Sequence, residues 1–224
     1  FRVRAYNSVG NSGYSNVVSA TTETDGGGGT EPGSEVSLLP VADAYVHGTY
    51  KDNNYGSDDR IHVRTIHCCD NWSRESFLRF DLSGQSGSIQ KAELILYVVQ
   101  STDPVDHVVS FVSDDSWAEE GITWNNKPSA SSGNLAQQLI SGTGAVSFDI
   151  TSKVQEQLGE GLSLKVNALK DVKPYIAYAS KEHSNVSYRP VLKITYSEEP
   201  STTPTTPEPT PEPTLAVKKL VLYN

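Results

Sequence analysis

Apolar residues in this chain recur at every second position of short runs, and that spacing admits β-strands and little else. Ile61, Val63 and Thr65 alternate with Arg60, His62 and Arg64, and Leu78, Phe80 and Leu82 alternate with Phe77, Arg79 and Asp81. Leu94, Leu96 and Val98 oppose Glu93, Ile95 and Tyr97 in the same way, as do Leu162, Leu164 and Val166 against Ser163, Lys165 and Asn167. Because successive strand side chains point to opposite faces, each run has one apolar face to bury. Residues 108–112, 175–180 and 191–196 supply further strands, and Gly, Asn, Asp and Ser punctuate the runs. One stretch departs from the pattern. DITSKVQEQLGEG (149–161) predicts a short helix, with Asp149 or Thr151 as its cap, Val154 and Leu158 on one face, and Gly159 or Gly161 as its stop. Eight or more strands with one short helix predict an all-β fold, a β-sandwich of jelly-roll type.

Composition divides the chain of 224 residues into zones. Residues 1–22 read as two alternating runs, FRVRAYN and SNVVSATT, around a Gly/Asn/Ser turn, and a hairpin of that size is marginal alone. The segment resembles the last two strands of a fibronectin type III domain, which implies a remnant of a preceding module. Residues 23–35 hold four consecutive glycines and cannot bury a core, so they predict a flexible linker. Residues 198–214 are a Pro/Thr/Glu tract of extended, semi-rigid character, and residues 215–224 read as the first strand of a further module. The globular unit is thus expected over 36–197, within a larger secreted multimodular protein.

Charge narrows the partners. Residues 36–196 carry 14 basic against 19 acidic residues, and the whole chain has a formal net charge of −9. That balance excludes the phosphate-neutralising footprint of a nucleic-acid binder. No apolar run is long enough to cross a bilayer, so no membrane insertion is expected. The expected location is extracellular, with attachment to the cell surface open, and the unit is expected to be monomeric.

Several segments, in order, resemble carbohydrate-binding module family 96, also described as the DNRLRE domain. They are VADAYV (41–46), NYGS (54–57), SFLRFDLS (76–83), IQKAELILYV (89–98), SWAEEGITWNNKP (116–128), FDITSKV (148–154), YASKE (178–182) and RPVLKITY (189–196). The resemblance implies a jelly-roll module without catalytic activity, attached to polysaccharide-degrading enzymes and binding acidic polysaccharide such as alginate. It also places Trp117 and Trp124 in a structural loop motif.

Recognition of an anionic glycan needs donors for carboxylates and flat rings for the apolar faces of sugars. Arg60, His62 and Arg64 share one strand face, and with Arg79 and Lys165 on the polar faces of other strands they can make a donor-rich sheet suited to uronates. The competing reading is a solvated face paired with nearby Asp and Glu. Trp72 is the preferred stacking residue, with Tyr97 on the outward face of its strand, and Tyr50 and Tyr55 in another loop.

Other chemistry is less well supplied. Cys68 and Cys69 are the only cysteines and are adjacent, so they form a vicinal disulfide or remain free thiols. His62 and His67 beside them have no recognised metal-ligand spacing. By analogy with other jelly-roll sugar binders, a structural Ca2+ on Asp43, Asn53, Asn54 and Asp149 is an expectation, with Asp52, Asp58 and Asp59 as solvating loop residues. Asp114, Asp115, Glu119 and Glu120 give close carboxylates, but glycoside hydrolysis needs them set across a cleft. The leading expectation is a polysaccharide-binding module, probed against a structural or adhesive spacer by whether Arg60, His62, Arg64, Arg79 and Trp72 converge on one groove.

Overall fold

The computed structural model describes residues 33–66, 71–131, 133–169 and 175–197, together with a two-residue antiparallel pair, β1 (Tyr6–Asn7) with β2 (Gly10–Asn11). The expectations for the remainder of 1–32, for 198–224, and for His67, Cys68 and Cys69 lie outside the described residues.

The strands of the domain are β3 (Glu35–Leu38), β4 (Ala42–His47), β5 (Arg60–Val63), β6 (Arg74–Asp81), β7 (Ile89–Gln100), β8 (Val105–Val112), β9 (Asn134–Ile140), β10 (Gly144–Asp149), β11 (Gly161–Ala168), β12 (Ile176–Ala179) and β13 (Val191–Tyr196). They form two antiparallel sheets, an all-β sandwich. One sheet runs β3-β13-β7-β12-β5, with β10 along the far side of β7, and the other runs β4-β6-β11-β8-β9. The twelve-residue β7 is long enough for both β13 and β12 to pair with it in succession.

The alternation read in the sequence sets the inner faces. Ile61, Val63, Leu78, Phe80, Leu94, Leu96, Val98, Leu162, Leu164, Val166, Ile176, Tyr178, Leu192 and Ile194 fill the space between the sheets and are almost wholly excluded from solvent. Each large side chain buried this way stabilises the fold by roughly 1.5–3 kcal/mol relative to an exposed one. Inside this layer, His107 on β8 reaches across to β12, its Nδ1 lying 2.6 Å from the Tyr178 hydroxyl. With the Ser76 hydroxyl, which donates to the His62 carbonyl at 2.9 Å, it is one of the polar links in a largely apolar core.

Period-2 reading puts Phe77 on a polar face with Arg79 and Asp81, yet Phe77 is fully buried. The loop between β8 and β9 folds over the outer face of the five-stranded sheet. There Trp117 and Ile122 pack on Ala42, Ala44, Val46, Phe77 and Val112 in a second small core, with Trp124 against it. The Trp117 indole N–H donates to Ser163 Oγ at 2.8 Å, and the Asn126 side chain accepts from the Thr123 amide and donates to the Gly121 carbonyl. The Trp/Asn-rich segment is therefore a self-braced lid over a sheet, and it makes both faces of β4 buried.

The helix α1 (Thr151–Glu156) forms as predicted in place but not in its cap. Ile150 occupies the cap position. The Asp149 carboxylate accepts from the Thr151 amide at 3.0 Å and from the Thr151 hydroxyl at 2.6 Å, while Val154 is buried and Gly159 has a φ of 87°, the left-handed conformation suited to glycine.

Candidate functional site

The two sheets meet where β5, at the edge of one, leans on β4 and β6 of the other. Past its last ladder pair β5 crosses over. Arg64 and Arg74 exchange backbone hydrogen bonds of 3.0 and 2.7 Å, a closely paired antiparallel bridge. Side chains directly opposite in such a bridge share a face, so the two arginines leave the backbone on the same side, and the charge of Arg64 acts against that of Arg74. Arg64 Nε and Arg74 Nη1 are buried and have no hydrogen-bond partner among the described residues. None of the ion pairs among those residues involves Arg64 or Arg74.

Aromatic rings gather along the same edge. Tyr45 stacks on Tyr55 at 4.4 Å and meets the edge of His62 at 4.7 Å. His62 in turn touches Tyr175, and the Arg74 guanidinium lies 5.1 Å from the centre of the Tyr175 ring. Further along β4, His47 sits between Tyr50 at 5.0 Å and Trp72 at 5.7 Å. Tyr50 and Trp72 are 50% and 48% exposed, large flat rings that the fold leaves facing solvent on either side of His47. Trp72 is also the one non-glycine residue with positive φ among those described, at 70°, and its amide donates to Thr49 Oγ1 at 3.0 Å. A left-handed conformation at such a residue costs of order 1–3 kcal/mol, which the surrounding contacts must offset.

The field of the arginines shows in the histidines. Burial, then Arg74 and Arg64, pulls His47 down to about 4; burial, then Arg74 and Arg60, does the same to His62. Both are neutral at physiological pH. The Tyr45 phenol is pushed up by burial and by Asp58, to which its hydroxyl donates at 3.3 Å, so it stays protonated.

Arg64 and Ser73 also line a cleft of about 440 Å³ on the outer face of the five-stranded sheet, together with Glu75, Trp124, Lys127 and Asn167. Lys127 bonds Glu75 at 2.7 Å and lies 3.3 Å from the centre of the Trp124 ring. The cleft has the volume of a small-ligand site and opens beside the arginine bridge.

Of the residues singled out in the sequence, Arg60, His62, Arg64 and Trp72 fall on this edge, Arg60 through Gln100, whose amide donates to the Tyr175 hydroxyl. Lys165 lies under the adjoining cleft, 3.7 Å from Glu75. Arg79 is committed elsewhere: it donates to the carbonyls of Asp115 and Trp117 and covers the Trp117 ring, bracing the lid. Tyr97 stacks face to face on Tyr188 at 3.6 Å, with His183 beyond it, on the outer face of the other sheet. The basic residues therefore do not form one continuous sheet face. Sequence reasoning missed Arg74, Tyr45, His47 and Tyr175; RES at 74–76 carries no pattern of its own, and only the crossover of β5 brings Arg74 opposite Arg64.

The four residues expected around a cation do not converge. Asp149 is occupied by Thr151 on the other sheet. Asn53 lies exposed in the loop after β4. Asn54 donates to the carbonyls of Glu119 and Ile122 and accepts from the Gly56 amide. Asp43 is 1% exposed and meets Glu119 and Glu182 instead. Burial foremost, with Glu182 and Glu119 adding repulsion against the opposing Lys181 amide and ammonium, raises its pKa to about 8. Of the four acids weighed as catalytic, Asp114 accepts from Ser116 and Glu119 accepts from the Asp43 amide at 2.7 Å, while Asp115 and Glu120 lie exposed on the loop.

A two-sheet sandwich with an aromatic and basic edge is an architecture of carbohydrate-binding modules, which are non-catalytic. The chain belongs to carbohydrate-binding module family 96, whose profile matches residues 34–196. It is also similar to a gellan lyase of a Bacillus species, with 30% identity over 138 residues. That match covers 58% of this chain and 5% of the relative, so the chain spans about a twentieth of the length of that enzyme.

Proposed function

We propose that the domain binds an anionic, uronate-containing polysaccharide along the β4–β5 edge and tethers a larger secreted protein to it. The observation that carries this reading is the Arg64–Arg74 bridge, two adjacent cations with buried, unpartnered nitrogens beside the half-exposed rings of Tyr50 and Trp72. A planar guanidinium takes a carboxylate through two parallel hydrogen bonds, and the ligand's negative charge relieves the repulsion between the pair. Trp72 and Tyr50 offer π faces to the apolar side of a pyranose ring. The similarity to a protein named for gellan, an anionic polysaccharide, supports the same ligand class.

The test is affinity electrophoresis and calorimetry of the full chain against gellan, alginate, pectin, xylan and cellulose, with Arg64→Ala and Trp72→Ala beside the parent. Binding to acidic glycans, weakened by salt and by at least tenfold in either variant, is the expected result. A folded parent that binds none of these glycans would leave the spacer reading in its place.

A further inference from the structure

We infer that Asp43, Glu119 and Glu182 form a calcium site that joins the two sheets and supports the loop carrying Tyr50 and Tyr55. Asp43 comes from β4, Glu119 from the lid over the second core, and Glu182 from the turn after β12, so three separate elements each send one carboxylate to one point. One oxygen from each lies within 4.8 Å of the others. Two oxygens bound to one Ca2+ at about 2.4 Å can be no further apart than about 4.8 Å, and all three pairs meet that limit.

Burial sets this cluster apart from a group of surface acids. Asp43 is 1% exposed, and its Oδ1 is buried with no partner among the described residues, as is Glu182 Oε2. A buried carboxylate oxygen without a donor is costly, and these two belong to the same cluster. The other oxygens are already oriented: Asp43 Oδ2 accepts from the Lys181 amide at 2.8 Å, and Glu119 Oε1 accepts from the Asp43 amide at 2.7 Å. The Lys181 ammonium lies 3.0 Å from Glu119 Oε2 and is also paired with Glu182. A divalent cation displaces the proton that burial favours on Asp43, and then balances the two negative charges that Lys181 leaves over.

The donor set selects the ion. All are oxygens, with no thiolate or imidazole in the group, which favours a hard cation over zinc or copper. Carboxylates from three elements give an irregular shell, which Ca2+ accepts at six to eight oxygens, whereas Mg2+ demands a near-ideal octahedron. Glu119 and Glu182 are partly exposed, leaving a side open for the ion and its waters.

The site also bears on the glycan edge, a consequence that rests on the function proposed above. Asn54 is clamped to the carbonyls of Glu119 and Ile122, and a Cβ on Gly56 would lie 2.3 Å from the Glu119 carbonyl oxygen. Tyr55 sits between these two anchors and stacks on Tyr45. Fixing Glu119 therefore fixes the segment that presents the aromatic rings.

The full chain, stripped with chelator, is titrated with CaCl2 and separately with MgCl2 while its Tm is followed, and Tb3+ luminescence is read as a second probe. Calcium is expected to raise Tm saturably, by about 5–10 °C at a hundredfold excess over the dissociation constant, with a midpoint at or below about 1 mM and Mg2+ at least tenfold weaker. Glu182→Gln, at a partly exposed turn, is expected to keep the parent's Tm in chelator yet weaken calcium at least tenfold; Asp43→Asn is the second variant. A parent whose Tm is the same in chelator and in about 10 mM Ca2+, with no Tb3+ signal, overturns the site. So does a Glu182→Gln variant with the parent's calcium midpoint. Glycan retention is measured on the same samples: calcium binding without glycan binding would sink the proposed function alone, and glycan binding without calcium binding would sink this inference alone.

Discussion

Acidification should weaken this fold through His107. The side chain is 0% exposed, its Nδ1 bonds the Tyr178 hydroxyl across the core, and its Nε2 is buried without a partner among the described residues. Burial, opposed weakly by Asp106, pulls its pKa down to about 3. A histidine with a depressed folded pKa contributes stability that is present above the unfolded value of about 6.5 and is lost as pH falls towards the folded value. Between pH 6.5 and 3 the loss runs at about 1.4 kcal/mol per pH unit, and from pH 7 to pH 5 it amounts to about 2 kcal/mol from this one group. The clean comparison is with the His107→Leu/Tyr178→Phe double variant, which removes the titrating ring together with its partner and leaves no orphaned hydroxyl. His47 and His62 titrate in both proteins and cancel. Urea unfolding followed by tryptophan fluorescence at pH 7 and pH 5 gives the two pH slopes. The parent should lose about 2 kcal/mol more than the double variant over that interval; equal slopes would show that His107 is not held neutral by the core.

Three further outcomes follow from the lid and the glycan edge. Arg79→Ala should lower Tm by several degrees through loss of the charge-assisted bonds to the Asp115 and Trp117 carbonyls, worth about 2 kcal/mol, while leaving glycan affinity within about twofold in affinity electrophoresis. Trp117→Phe should cost about 1 kcal/mol in urea unfolding, because Ser163 Oγ, buried under the lid, loses its indole donor. Gly56→Ala should destabilise by about 1–3 kcal/mol, since the added methyl group meets the Glu119 backbone; a neutral result in thermal denaturation would mean the loop is not seated there.

Local pattern carried much of the architecture. Alternation identified the inner residues of β5, β6, β7 and β11, because a strand with one buried face must repeat with period two. The same rule mistook the outer face of β6 for solvent at Phe77, since whether that face is wet depends on a loop some 40 residues later in the chain. Arg64 and Trp72 were legible as candidates by residue type, but Arg79, of the same type, turned out to brace the lid.

Residue chemistry and periodicity thus decided that this chain makes a sandwich, where its strands lie and which side chains were available to meet an acidic sugar or a cation. Which of them actually meet was decided by tertiary structure alone. Arg74 stands opposite Arg64 because β5 crosses between sheets, and Glu182 reaches Asp43 from 139 positions away because the turn after β12 folds back on β4. Both contacts are nonlocal, and a period of two fixes only which way a strand residue points; what lies opposite depends on register and crossover, which only the assembled sheets define.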